Sequence, residues 1–172
     1  ATLAVLDPAT EQPVGNAPDC SAELLDATVA AAQAAFAAWA ARALAERAAC
    51  LVELGNAIEA NVDLLTRLLT AEQGRPLGMA RQEVLGCVHW CRQVARMEQP
   101  VAGHTDPAGV HWETRRVPLG VVAAVVPWNF PLMIAVVKLA PALLAGNTVI
   151  VKPSPFTPLA TLRLGELAAD IF

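Results

Sequence analysis

The spacing of apolar residues changes along the chain and predicts the order of its elements. Two short apolar runs, residues 2–6 and 12–14, flank a turn and predict a small hairpin at a sheet edge. From Ser21, a suitable helix N-cap, apolar residues recur at helical spacing. We expect Asp63 to cap the third of the helices that follow and Gly74 to end it. The predicted helices cover residues 23–42, 44–61, 64–73 and about 76–97.

The helical spacing is lost between residues 100 and 118. A turn at residues 107–109 is followed by residues 110–116, in which polar and apolar side chains alternate as in a two-faced strand. An exposed strand edge is either protected or used for pairing, so this ribbon is a candidate contact between subunits. A solvent-facing hairpin with a charged edge explains the pattern equally well.

Residues 119–154 have the pattern of one parallel β-α-β unit. Two β-branched runs, residues 121–126 and 148–151, predict buried strands on either side of a segment of helical length. Pro131 suits the first turn of that helix, and Gly146 marks its end. The fold class is therefore α/β.

The number of predicted strands is small for a sheet of this class. A further amphipathic helix is predicted over residues 159–171, after which the sequence ends. The chain supplies at most two core strands, whereas sheets usually have about four to six. We expect either that the chain is a fragment or that something else completes the domain.

Polar side chains stand where the two predicted core strands end. Trp128 and Asn129 follow the first strand, and residues 152–154 follow the second. Ligands of open α/β sheets bind beyond the carboxyl ends of the strands. These residues are therefore candidates for contact with a ligand.

Composition and charge narrow the classes of function. The chain is 55% hydrophobic and 16% charged, which supplies a core and excludes a disordered chain. Its net charge is -4 and no basic cluster exceeds Arg115–Arg116, so we expect no nucleic-acid partner. The apolar runs at residues 119–128 and 130–137 are shorter than the roughly 20 residues of a membrane helix. We therefore expect no membrane partner, and no secretory signal pattern opens the chain.

The cysteines indicate a reducing, cytoplasmic location. Cys20, Cys50, Cys87 and Cys91 are too few and too widely spread for a small disulfide scaffold. Cys87, His89 and Cys91 have some likeness to metal ligands, but in a helix positions i and i+4 share a face and i+2 points away. We expect two packed thiols, a partly exposed histidine and no metal site.

Two blocks of the β-α-β unit resemble a known family. At Val126-Pro-Trp-Asn-Phe-Pro131 and at residues 146–154 the sequence closely resembles the aldehyde dehydrogenase superfamily. The match extends over nearly the whole chain. Other family-like stretches follow in the expected order: Asp7-Pro-Ala-Thr10, the Ala-rich first helix, Glu72-Gln-Gly-Arg-Pro76 and Lys138-Leu-Ala-Pro141.

The resemblance implies a domain organisation. Residues 1–99 and 118–172 would form the N-terminal helices and first β-α-β units of a Rossmann-like dinucleotide-binding domain, incomplete in this chain. Residues 100–117 would be the β-ribbon of an oligomerisation arm, and the catalytic domain would lie outside the chain. A homo-oligomer, dimer or tetramer, follows as the expected assembly.

The resemblance also implies a reaction and a catalytic residue. Family members oxidise an aldehyde to a carboxylic acid. A cysteine thiolate attacks the carbonyl, hydride passes to a nicotinamide cofactor, and a glutamate-activated water releases the thioester. Asn129 matches the asparagine whose side-chain amide binds the developing oxyanion. The alternative is that Asn129 only caps the helix that begins at Phe130 or Pro131.

The implied cofactor is NAD. Lys152 matches the lysine that binds the adenosine ribose hydroxyls. At position 155 many relatives carry a glutamate that disfavours a 2′-phosphate, but this chain has Pro155, so NADP is not excluded. The residues expected to line the cofactor groove are Val126, Pro127, Trp128, Lys152, Pro153, Ser154 and Pro155.

Phe130, Ile134 and Val137 match positions that line the substrate tunnel of the family. Many relatives carry an aromatic residue where this chain has Val137, which implies a wider tunnel. Core packing of the helix is the competing interpretation of all three. Lys138 is expected either near the site or extended outward.

The nucleophile and the general base are not recognised in this chain. None of its cysteines has the local sequence of the family nucleophile, and the catalytic glutamate is expected beyond residue 172. Two hypotheses remain. In the first, the chain is the N-terminal part of an aldehyde dehydrogenase that needs the remainder of its own chain. In the second, it is a naturally short, catalytically dead homologue that serves as a binding or assembly module.

Overall fold

Six helices and six short strands make up the fold in a computed structural model that describes all residues, 1–172. The strands are β1 (Thr2–Leu6), β2 (Pro13–Pro18), β3 (Ala102–Thr105), β4 (His111–Thr114), β5 (Val121–Val125) and β6 (Thr148–Lys152). The helices are α1 (Ala22–Ala41), α2 (Leu44–Ala60), α3 (Val62–Gln73), α4 (Leu77–Val94), α5 (Pro131–Leu144) and α6 (Leu159–Ala168). The predicted α/β class is confirmed.

The strands form three separate two-stranded sheets. β1 pairs with β2 and β3 with β4, both antiparallel, whereas β5 and β6 pair in parallel around α5. The predicted β-α-β unit is therefore confirmed. The prediction that its strands are buried was wrong, because most of their residues are half-buried or exposed. In a sheet of two strands each strand is an edge, so one side of each lacks a neighbour.

The core lies among the helices rather than around the sheet. Three apolar residues on one face of α2 are almost fully buried: Leu51, Leu54 and Ile58. They pack in one apolar cluster with residues of α3, α4, α5 and α6. Burial of such a side chain stabilises the fold by roughly 1.5–3 kcal/mol. The helical layer thus supports the loops that follow β5 and β6.

The helix ends mostly follow the sequence signals. Ser21 caps α1, because its Oγ accepts a hydrogen bond from the Leu24 backbone nitrogen at 3.3 Å. Gly74 ends α3 with a positive φ of 76°. The predicted cap at Asp63 was wrong, since Asn61 alone separates α2 from α3 and the helix starts at Val62. The remaining differences are small: β2 extends to Pro18 and α6 ends at Ala168.

Buried polar side chains hold the far end of α5 and the start of β5. Arg47 donates from Nε to the Leu144 carbonyl at 2.9 Å. Asn147 accepts at Oδ1 from the backbone nitrogens of Leu119, at 2.6 Å, and Gly120, at 3.0 Å. Its Nδ2 donates to Ala142 at 3.0 Å. Asn147 therefore fixes where the first core strand begins.

Helix α1 is long and apolar enough, by length and composition, to cross a membrane, unlike the runs considered in the sequence. Its apolar character comes mainly from alanine. Two hydrogen bonds hold it on the rest of the chain: Trp39 donates from Nε1 to Leu143, and Thr148 donates from Oγ1 to the Ala32 carbonyl, both at 3.0 Å. In this structure α1 therefore lies against the α/β unit, with Trp39 as its one buried residue.

Candidate functional site

The two loops that carry the predicted site leave the same edge of the parallel sheet. Val125 pairs with Lys152, and the Val126 backbone nitrogen donates to the Lys152 carbonyl at 3.0 Å. The segment from Val126 to Phe130 and the segment from Lys152 to Pro155 therefore start side by side. Parallel strands place their carboxyl ends together, which is where ligands of such sheets bind.

The predicted cofactor residues differ in exposure. Val126 and Ser154 are buried, Pro153 is half-buried, and the others are exposed: Pro127, Trp128, Lys152 and Pro155. The Val126 side chain belongs to the core cluster. The Ser154 Oγ accepts from the Phe156 nitrogen at 3.3 Å within its own turn. Side chains available at the surface of this edge are thus chiefly those of Trp128 and Lys152.

The two lysines of the chain have different surroundings. Lys138 donates from Nζ to the Val125 carbonyl at 2.7 Å, so it lies at the end of β5 rather than extending away from it. Lys152 is exposed and its side chain makes no hydrogen bond within the chain. An ammonium group with free donors beside a strand end can bind hydroxyl or anionic groups of a ligand.

Asn129 is fixed through its backbone, while its side chain is exposed. Its carbonyl accepts hydrogen bonds from Gln73 Nε2, at 2.7 Å, and from the Arg75 guanidinium. Gln73 Nε2 also donates to the Trp128 carbonyl at 3.1 Å. The capping alternative for Asn129 was wrong, because Phe130 occupies the N-cap position and no side chain of the loop caps α5. The amide of Asn129 thus remains free to donate to a ligand.

Glu83 of α4 caps α5 in place of the loop. Its Oε1 accepts from the backbone nitrogens of Leu132, at 3.1 Å, and Met133, at 3.0 Å. Its other oxygen forms an ion pair with Arg75. Burial raises the pKa of Glu83, and the Met133 amide and the Arg75 charge act in the opposite direction. A carboxylate at a helix N-terminus also interacts favourably with the helix dipole.

Glu72 of α3 caps α6 in the same way. Its oxygens accept from the backbone nitrogens of Leu159, at 2.6 Å, and Ala160, at 3.0 Å. Burial raises the pKa of Glu72 to about 7, against the effect of these two amides, and the charge of Glu83 adds to the rise. Protein carboxylates therefore occupy first-turn amides of both helices that follow the core strands, so those amides are not open to an anionic ligand.

The three predicted tunnel residues share the start of α5. Phe130 and Ile134 are four residues apart and Val137 three further, so they lie on one face of the helix. Phe130 is 44% exposed, and Ile134 and Val137 are half-buried. Ile134 packs against the core cluster. Core packing therefore accounts for part of the Ile134 surface, and the tunnel role of the three residues stays a prediction.

The cysteines behave as packed thiols. Cys50, Cys87 and Cys91 are buried and Cys20 is exposed, and all four are free. Burial raises the pKa of Cys91 to about 12 and the pKa of Cys87 well above its ordinary value. Neither thiol supplies a thiolate near neutral pH. No cluster of three or more histidine, cysteine, aspartate or glutamate side chains is arranged to hold a metal ion. His89 is exposed, where a partly exposed side chain was expected.

Sequence reasoning missed the residues that support the site. Residues 72–76 resemble the family but have no role predicted from the sequence, yet three of them, Glu72, Gln73 and Arg75, hold the site loops or α6. Glu83 is not among the site residues predicted from the sequence. The available signal was two acidic residues within predicted helices, Glu72 and Glu83, on or beside apolar faces, where a carboxylate needs a partner.

Nearly the whole chain matches proteins of one family. The model of the aldehyde dehydrogenase family matches residues 1–171. The 3,6-anhydro-alpha-L-galactose dehydrogenase of Streptomyces coelicolor is 41% identical over 168 residues, which are 96% of this chain and 34% of that protein. This chain thus spans about a third of the length of that relative.

Solved structures agree in both fold and extent. The aldehyde dehydrogenase from Brucella melitensis has a TM-score of 0.93 and 38% identity, covering 99% of this chain and 36% of that chain. PnpE from Pseudomonas, solved in complex with nicotinamide adenine dinucleotide, has a TM-score of 0.93 and 36% identity, with coverage of 99% and 36%. The family match over nearly all residues, together with these structures, establishes that the chain belongs to the aldehyde dehydrogenase family.

Proposed function

We propose that this chain is the N-terminal part of an enzyme that oxidises an aldehyde to a carboxylic acid with NAD or NADP. One observation carries the proposal: Asn129 is held by its backbone carbonyl, with its side-chain amide exposed beside the end of β5. A fixed neutral donor is suited to the oxyanion that forms when the carbonyl of an aldehyde is attacked. Such a donor lowers the barrier by roughly 3–4 kcal/mol.

The remainder of the polypeptide is proposed to supply the nucleophilic cysteine and the general-base glutamate. The coverage of relatives, about a third of their length, supports this division. Cys87 and Cys91 do not provide the nucleophile, because burial raises the pKa of both thiols and keeps them protonated. By itself the chain is therefore proposed to be inactive.

The residues at the strand ends fit the adenosine half of a nicotinamide dinucleotide. Lys152 has free donors for ribose hydroxyls, and Trp128 offers an exposed surface on the neighbouring loop. Bound there, the cofactor would accept the hydride of the aldehyde. Pro155 is exposed and carries no charge against a 2′-phosphate, so both NAD and NADP belong in the proposal.

We also propose a domain organisation and an assembly. Residues 1–99 and 118–172 belong to the dinucleotide-binding domain, and residues 100–117 form an arm that joins subunits in a dimer or tetramer. Every residue of β3 and β4 is exposed, which supports a contact outside this chain. Free cysteines support a reducing, cytoplasmic location.

The test uses the complete polypeptide that contains this chain, incubated with a panel of aldehydes and either NAD or NADP in heavy-oxygen water. The proposal expects one reduced nicotinamide for each acid formed. It also expects at least one heavy oxygen in the acid, because water releases the thioester; a second enters where the aldehyde has already exchanged its carbonyl oxygen with the solvent. Absence of oxidation with every aldehyde and both cofactors would contradict it. A coding sequence that stops directly after Phe172 would favour the catalytically dead binding module instead.

A further inference from the structure

The backbone on both sides of Asn129 is held by side chains from residues 73–83. Before it, the Trp128 carbonyl accepts from Gln73 Nε2 at 3.1 Å. At Asn129 itself, the carbonyl accepts from Gln73 Nε2 at 2.7 Å and from Arg75. After it, the amides of α5 bind Glu83. Rotation of the Asn129 backbone is thus restrained on both sides, and only its side chain stays free.

Arg75 connects the contact at the Asn129 carbonyl with the contact of Glu83 at the start of α5. Its guanidinium donates to the Asn129 carbonyl, forms an ion pair with Glu83, and lies over the Phe130 ring at 4.1 Å from the ring centre. A planar guanidinium can make these contacts at once, which a lysine ammonium cannot. The Arg75 side chain is 9% exposed and that of Glu83 is fully buried. The contacts are therefore shielded from solvent and little screened by salt.

The stability of the fold does not by itself account for this arrangement. A buried ion pair is often no more stabilising than apolar side chains of similar volume, because both charges lose their hydration. What the pair adds here is geometry, since it ties the loop at residues 128–130 to the first turn of α5. A donor to a developing oxyanion has to be placed within a fraction of an ångström, and a displacement of about 1 Å can cost roughly a hundredfold in rate.

We propose that Arg75 and Glu83 are positioning residues for the side-chain amide of Asn129. Arg75 holds the Asn129 carbonyl and the Phe130 ring, and Glu83 holds Arg75 and the start of α5. Neither residue touches the substrate. The inference rests on the proposed role of Asn129 in aldehyde oxidation.

The experiment compares wild type, Arg75→Lys and the double variant Arg75→Met/Glu83→Gln in the complete polypeptide. The double variant removes both charges together and keeps a side-chain oxygen to cap α5, which avoids a lone buried carboxylate. Gln73→Ala is a further variant that removes only hydrogen bonds to the Trp128 and Asn129 carbonyls. Arg81→Met, which breaks a surface ion pair with Asp63, is the matched control.

Two measurements are made on each variant: kcat and KM with an aldehyde and NAD, and amide hydrogen exchange over residues 128–133. We expect the double variant to lose about tenfold in kcat, with the KM for NAD within about twofold of wild type. Exchange over residues 128–133 should be faster. Arg75→Lys keeps a positive charge, so its kcat should lie between those of the double variant and wild type. Gln73→Ala should lower kcat by about threefold. Arg81→Met should have the kcat and the exchange of wild type.

The outcomes separate this inference from the proposed function. If Asn129→Ala abolishes turnover but the double variant and Gln73→Ala keep wild-type kcat, Asn129 acts without these residues and the inference is wrong. Unchanged exchange over residues 128–133 would overturn it as well. If the double variant does not fold, Gln73→Ala and Arg75→Lys decide by the same two readouts. An inactive wild type would contradict the proposed function and the positioning role with it.

Discussion

Glu72 Oε1 lies 3.0 Å from the backbone nitrogen of Ala160, 88 residues further along the chain. The contact ties the end of α3 to the first turn of α6. Glu83 makes the equivalent contact with α5. Two carboxylates of the helical layer thus fix the starts of both helices that follow the core strands, and the loops before those helices carry the candidate site.

Glu72 should make the stability of the protein depend on pH. Its pKa is raised from 4.5 to about 7, so between these values the folded state holds a proton that the unfolded state has released. The free energy of unfolding should therefore fall as the pH rises from 4.5 to 7, by up to about 3 kcal/mol. Glu72→Gln should remove this contribution.

Denaturant unfolding of the wild type and of Glu72→Gln at several pH values measures the effect. Glu53→Gln, an exposed residue of α2, is the control for loss of a carboxylate. The same pH dependence in wild type and Glu72→Gln would show that Glu72 is not the responsible group.

A side chain at Gly74 should destabilise the fold. Its φ is 76°, and a Cβ would lie 2.8 Å from Pro8 Cγ. Gly74→Ala should lower the free energy of unfolding by about 1–3 kcal/mol. Gly78, in the first turn of α4, has open space around it, so Gly78→Ala should raise stability by about 0.5–1 kcal/mol. Denaturant titrations measure both free energies of unfolding. Equal changes in Gly74→Ala and Gly78→Ala would show that the positive φ and the contact with Pro8 do not make Gly74 special.

Lys152→Met should weaken cofactor binding. The ammonium group has no partner within the chain, so its loss should leave the fold intact and remove a charged hydrogen-bond donor to the ribose. The Kd for NAD should rise about tenfold or more in calorimetry, in line with roughly 1.5–3 kcal/mol for such a bond. Arg163→Met on α6 is the control. A Kd equal to that of wild type would remove Lys152 from the cofactor site.

Trp112→Glu should reduce the oligomeric state of the complete protein. Trp112 is 61% exposed on β4, in a ribbon with no buried residue, and a charge there would oppose burial against another subunit. Light scattering after size-exclusion chromatography gives the mass. Met79→Glu, at a comparably exposed residue of α4, should keep the wild-type mass. A Trp112→Glu protein of unchanged mass would exclude this face of the ribbon from the interface.

The order and type of the elements followed from local signals. Alternation over residues 110–116 predicted a ribbon, and Ser21 and Gly74 marked helix ends because caps and left-handed turns are properties of a few neighbouring residues. Asp63 was misassigned because Asn61 alone separates α2 from α3. The predicted burial of β5 and β6 was too high. A run of β-branched residues indicates that a segment forms a strand, but it does not indicate how many strands lie beside it.

The supporting network of the site could not be predicted. Glu83 meets its amide partner 49 residues further along, and Arg75 meets the Asn129 carbonyl 54 residues further along. The spacing of apolar and polar residues along the chain does not predict such long-range contacts, since they form only when the helices pack together. The placement of Asn129 and Lys152 at one edge of the sheet was predictable, because each follows a strand of the β-α-β unit and parallel strands end at the same edge.

The central claim is that Asn129 supplies an oxyanion donor, and the turnover of Asn129→Ala in the complete polypeptide tests it most directly. With a substrate aldehyde and NAD, kcat should fall by about a hundredfold to a thousandfold. The Kd for NAD should stay at the wild-type value, and Asn56→Ala, at an exposed position of α2, should turn over like wild type. Wild-type kcat in Asn129→Ala would contradict the account.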